Sequence, residues 1–156
     1  MSARSTADVD VVPGRGCGGC TLCCKLLGVE ELILAPLQWC PRCDTSVGCT
    51  AYAERPTECR QFYCQYLLDG ALDEHWKPSR CKMVVVLEDF TDNLVIHVDP
   101  DRPHAWRQAP FHTQIRRWAR EQARLGRQVV VWQGDRKIMI DPRDPADLRE
   151  PNQVGT

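Results

Sequence analysis

The feature that most constrains this chain is Cys17-Gly18-Gly19-Cys20-Thr21-Leu22-Cys23-Cys24, which sets four thiols within eight residues. Thiolates at this density suit a soft or borderline metal. The two-residue spacers let the chain wrap one centre. Gly18 and Gly19 permit the turns and close backbone approach that such a wrap needs. A second group follows at Cys40-Pro41-Arg42-Cys43, then Cys49, then Cys59. The rest of the chain reads as a scaffold for these thiols.

Ten cysteines would also serve a disulfide framework, but that needs an oxidising compartment. Residues 1–8 carry no apolar run and no secretory cleavage pattern. No stretch approaches the roughly 20 apolar residues of a membrane span. The expectation is a cytoplasmic protein with no membrane partner, its thiols reduced or metal-bound. A net charge of −1 selects no partner class, yet the two parts of the chain differ. Residues 1–100 hold 9 Lys/Arg against 14 Asp/Glu, and residues 101–156 hold 11 against 7.

The 156 residues read as one domain. Residues 1–14 are expected as a flexible arm, 15–70 as a cysteine-rich metal-binding region, 71–141 as an α+β region and 142–156 as a disordered tail. Leu22, Leu26 and Leu27 share one face of a short helix. Residues 40–49 are polar and turn-rich and read as an irregular metal loop. A helix is expected from Pro56 to about Leu68, stopped by Asp69-Gly70. Residues 71–81 read as another loop. Two β-branched runs about Asp92-Asn93 make a hairpin, and two more about Gly134-Asp135 make another. Between them, residues 110–125 have helical periodicity, with Phe111, Ile115, Trp118, Ala119 and Leu125 as the buried face. Arg116, Arg120 and Arg124 are expected outside. The fold class is α+β: short helices in a cysteine-rich N-terminal half, then hairpin–helix–hairpin forming a small sheet with one packed helix.

Eight cysteines are the candidate ligands: Cys17, Cys20, Cys23, Cys24, Cys40, Cys43, Cys49 and Cys59. A closed zinc site takes four ligands, and a [4Fe–4S] cluster commonly takes four thiolates. Eight thiols therefore fill two sites, or one with spares. The Cys17-x2-Cys20-x2-Cys23 run has the spacing of a cluster-binding opening, and Cys40-x2-Cys43 that of a zinc knuckle. Adjacent Cys23 and Cys24 diverge in direction and do not easily face one centre. Cys64, five residues past Cys59 on the expected helix, points about 140° away from it. Cys64 and Cys81 are read as core residues. His75, His97, His104 and His112 have no ligand spacing to a cysteine. No nucleophile–base arrangement, phosphate loop or dinucleotide fingerprint occurs, so the reading leans away from an enzyme. Arg116, Arg117, Arg120, Arg124 and Arg127 read as a solvated helix face, which disfavours nucleic acid as a partner.

Two stretches resemble the CxxCxxCC (YkgJ-like) family of zinc- or iron-chelating proteins. One is Cys17-Gly-Gly-Cys-Thr-Leu-Cys-Cys24. The other is Cys49-Thr-Ala-Tyr-Ala-Glu-Arg-Pro-Thr-Glu-Cys-Arg60. The resemblance implies a bacterial source and a metal or iron–sulfur site drawn from Cys17, Cys20, Cys23, Cys24, Cys49 and Cys59. It implies Arg55 and Arg60 as donors supporting the anionic site. The expected function is binding of an iron–sulfur cluster or zinc in a redox, metal-handling or accessory role, with an unidentified protein partner. The alternative is a structural zinc module that mediates protein interaction.

Overall fold

Runs of Val and Ile, crowded at Cβ and suited to a pleated surface, build the centre of the molecule. In a computed structural model the described residues are 11–15, 22–27, 37–41, 43–44, 48–50, 64–88 and 91–143, with Cys24, Gly48 and Cys49 described by backbone alone. In order, the elements are helix α1 (Leu22–Leu26), strands β1 (Cys43–Asp44) and β2 (Gly48–Cys49), helices α2 (Gln65–Leu68) and α3 (Pro78–Cys81), strands β3 (Met83–Leu87) and β4 (Leu94–Val98), helix α4 (Phe111–Arg124), and strands β5 (Val129–Gln133) and β6 (Arg136–Met139). Single 3₁₀ turns occupy Glu74–Trp76 and Ala105–Arg107.

The fold is α+β, with a four-stranded mixed sheet in the order β3-β4-β5-β6. Both expected hairpins form, as antiparallel β3–β4 and β5–β6. They join through parallel pairing of β4 with β5, in register from Leu94↔Val129 to Val98↔Gln133. Parallel neighbours need a long crossover, and α4 supplies it. Gly134 takes φ +65° as the first of two residues turning β5 into β6. No helix among the described residues is long and apolar enough to cross a membrane.

The register puts Met83, Val85, Ile96, Val98, Val129 and Val131 on one face of the sheet. These six belong to one continuous core with Ile115 and Ala119 of α4. Trp106 is fully buried, and its Nε1–H donates to Gln133 Oε1 at 3.1 Å, tying the second 3₁₀ turn to the sheet. Trp76 meets Phe111 edge-on at 5.0 Å and Trp118 at 4.7 Å, so both α4 aromatics are held on the inner side.

Several expectations need correction. Residues 71–81 are not plain loop, since a 3₁₀ turn and α3 lie within them, with Pro78 opening α3. Leu125 is 61% exposed rather than buried. It follows the last helical residue, and the left-handed Gly126 with Arg127 N–H donating to Gln122 O turns it outward. Arg116 is buried rather than exposed, and its Nη1 donates to Asp141 O at 2.7 Å. Arg120 and Arg124 are exposed as expected. The helix expected from Pro56 to Leu68 does not run through Cys64, whose backbone is extended (φ −72°, ψ 158°) and caps α2. Of the arm expected over 1–14, residues 11–14 are described. There Val12 N donates to Leu67 O at 2.8 Å, and neighbouring Arg15 lies over the Tyr66 ring at 4.2 Å. The arm is thus tied down where it meets α2.

Candidate metal centre

Helix α1 carries the end of the first cysteine group. Leu22 and Leu26, together with Leu27 just beyond, are buried in the core, which fixes the helix's rotation. Cys23 is half-buried and packs against that core. Lys25, one residue beyond Cys24, is buried. Its Nζ donates to Asp99 Oδ1 at 2.6 Å and Asp101 Oδ2 at 2.5 Å. Burial lowers the Lys25 pKa, but the hydrogen bonds to Asp101 and Asp99 outweigh it and leave the ammonium above its ordinary value. The same bond holds the Asp101 carboxyl below the carboxylate range. This clamp joins α1 to the end of β4. Sequence reasoning missed it, although a lysine three residues after Leu22 on an apolar helical face signals a charge that must find a partner.

The second group is folded back onto α1. Leu37 N donates to Leu26 O at 3.4 Å, and Lys25 Nζ sits 5.7 Å from the Trp39 ring centre. Lys25 adjoins Cys24 and Trp39 adjoins Cys40, so this contact brings the two cysteine-bearing stretches to one side of the molecule. Residues 40–49 do not form an irregular loop throughout. Cys43 N donates to Cys40 O at 3.0 Å, a tight turn, and β1 pairs with β2 in the register Cys43↔Cys49 and Asp44↔Gly48. Directly opposed positions in such a ladder have Cα atoms about 4.5–5.5 Å apart. Cys40, Cys43 and Cys49 therefore occupy one small knuckle, with Cys40 and Cys43 both half-buried. One turn and one cross-strand pair thus bring three cysteine backbone positions close together.

Cys17, Cys20, Cys59, Arg55 and Arg60 lie outside the described residues. Among the described residues no three Cys, His, Asp or Glu side chains form a group able to hold a metal. The two cysteines read as core residues are buried. Cys64 is 8% exposed in the core with Leu67, so burial and not helical phase is the reason it stands apart. Cys81 Sγ is directed at Met83 O (3.3 Å) and Trp76 O (3.5 Å), a thiol engaged by carbonyls. Of the histidines, His75 is exposed beside Asp73, while His97 faces away from the α4 core on β4 and burial lowers its pKa to about 4. No family model, curated protein or solved structure matches the chain.

Proposed function

We propose that the chain binds a cysteine-ligated metal, as an iron–sulfur cluster or zinc at one or two sites, in a redox, metal-handling or accessory role within a reducing, cytoplasmic compartment. The observation that supports this most is the knuckle, where Cys40 and Cys43 close a tight turn and Cys43 stands opposite Cys49. A two-residue ladder is too short to be stable alone, and a metal shared by its cysteines supplies the missing cross-link. The resemblance to the CxxCxxCC family adds Cys17, Cys20, Cys23, Cys24 and Cys59 to the donor set, with Arg55 and Arg60 offsetting its negative charge. A second reading, a structural zinc module for protein interaction, is favoured by the knuckle geometry beside Trp39, an aromatic ring left 45% exposed.

Anaerobic purification followed by metal analysis and an absorption spectrum tests both. Bound iron with sulfide and a brown colour supports the cluster. Stoichiometric zinc without colour supports the structural module. Cys43→Ser and Cys49→Ser are expected to lose metal, whereas Cys81→Ser keeps it. Protein that purifies metal-free from anaerobic cells and takes up neither iron nor zinc would overturn the proposal.

A further inference from the structure

Strand β6 forms one edge of the sheet and has no second strand partner among the described residues. Its pairing identifies which backbone groups are open. Ile140 N donates to Val129 O at 3.0 Å, and the β5–β6 register continues as Val130↔Met139, Val131↔Ile138 and Trp132↔Lys137. Bonded and non-bonded pairs alternate along an antiparallel ladder. Ile138 therefore points its N–H and C=O at β5, and Lys137 and Met139 point theirs outward. Lys137 is exposed and Met139 is 45% exposed. Beside this edge runs an open trough of about 420 Å³ between β6 and the end of α4. Ala119, Ala123, Met139 and Ile140 give it an apolar lining, and Arg127 and Arg143 add cations.

We propose that this edge and trough form a docking groove for an extended acidic peptide segment of a partner protein, which adds as a fifth strand beside β6. Backbone bonds to Lys137 and Met139 supply the ladder, and alternate apolar side chains enter the trough against Ala119 and Ala123. Charge decides the occupant. Arg136 and Lys137 are exposed on the strand itself, and Arg120 and Arg124 are exposed on the adjoining helix. Among the described residues, Arg127 and Arg143 pair only with exposed carboxylates, at 3.5 Å from Asp92 and 3.9 Å from Asp141. Such pairs exchange readily with incoming carboxylates. A second copy of this chain would set Arg136 and Lys137 against the same cations, which disfavours edge-to-edge self-pairing. This inference is independent of the metal reading.

The test uses the full chain and three labelled probes: a peptide alternating Glu or Asp with Val or Ile, the same peptide with Lys for each acid, and an oligouridylate of equal negative charge. The acidic peptide is expected to bind at least about tenfold more tightly than its charge-reversed counterpart. Binding is expected to slow hydrogen exchange at the Lys137 and Met139 amides. Met139→Pro removes an outward donor and spares the ladder to β5, so it abolishes binding while the thermal midpoint stays near wild type. Should that variant fold poorly, the double variant Arg136→Glu/Arg143→Glu, altered only at exposed side chains, is expected to weaken the acidic peptide about tenfold or more. Equal binding of both peptides, preference for the oligouridylate, unchanged exchange at Lys137 and Met139, or dimerisation through β6 at micromolar concentration would each overturn the proposal.

Discussion

Replacing Lys25 with methionine removes the cation from the clamp and keeps most of its volume. The side chains of Lys25 and Asp99 are each 10% exposed, so the pair lies largely out of water. Removing one member of a buried pair strands the other charge, at a cost of about 3–5 kcal/mol. Asp99 keeps one further donor, Asp101 N–H at 3.0 Å, which argues for the lower end, about 3 kcal/mol. Asp101 is 79% exposed, so its share is that of a surface pair, about 1 kcal/mol or less. A loss of about 3 kcal/mol lowers the thermal midpoint by roughly 6–12 °C in a domain of this size. Urea unfolding of Lys25→Met, Asp99→Asn, Asp101→Asn and the Lys25→Met/Asp99→Asn double variant measures each part. The two buried-site variants are expected to cost several times more than Asp101→Asn, and the double variant less than the sum of its singles. Wild-type stability in Lys25→Met, or additive losses in the double variant, would refute the reasoning. The pH dependence has a definite sign. Because Lys25 is raised in the folded state, its contribution is full below its ordinary value of 10.5 and is lost as pH rises past the folded value.

His97 behaves in the opposite sense, because its folded pKa falls from 6.5 to about 4 through burial, with Glu88 opposing weakly. The unfolded chain takes up the proton first, so stability declines by about 3 kcal/mol as pH falls from 6.5 towards 4. His97→Gln is expected to flatten that part of the profile in urea titrations at stepped pH. Arg116→Ala should cost about 2 kcal/mol through its lost bond to Asp141 O and buried stem, while exposed Arg117→Ala stays within about 0.5 kcal/mol. Equal effects would show that Arg116 is solvated. Ile115→Ala should cost about 3 kcal/mol and Leu125→Ala almost nothing, as read from denaturation midpoints, because only Ile115 lies in the core.

Both β-branched pairs and the helix between them were legible because each is a local pattern of the chain. The strands show it as continuous apolar runs rather than strict alternation. Val84, Val85 and Val130 are all buried, so both faces of the sheet are covered there and the runs stay apolar. Two errors on α4 share one cause. Helical phase ranks residues by angle, but Arg116 was drawn in by an acceptor 25 residues away and Leu125 was turned out by the cap. The break at Cys64 likewise escaped a propensity argument, since Gln65 to Leu68 suit a helix and the extended Cys64 before them depends on packing beside Leu67.

The Cys40-x2-Cys43 spacing was legible by itself as a knuckle, because Pro41 between the thiols favours a turn. The two hairpins and the apolar stripe through Ile115 and Ala119 were local facts of the same kind. Tertiary structure alone decided that β4 and β5 pair in parallel and that Lys25 binds Asp99 across 74 residues. Register and long-range charge pairing depend on which surfaces meet in space, and no local period of the chain encodes that meeting. The single strand neighbour of β6 among the described residues belongs with them: whether a strand has one neighbour or two is a property of the assembled sheet.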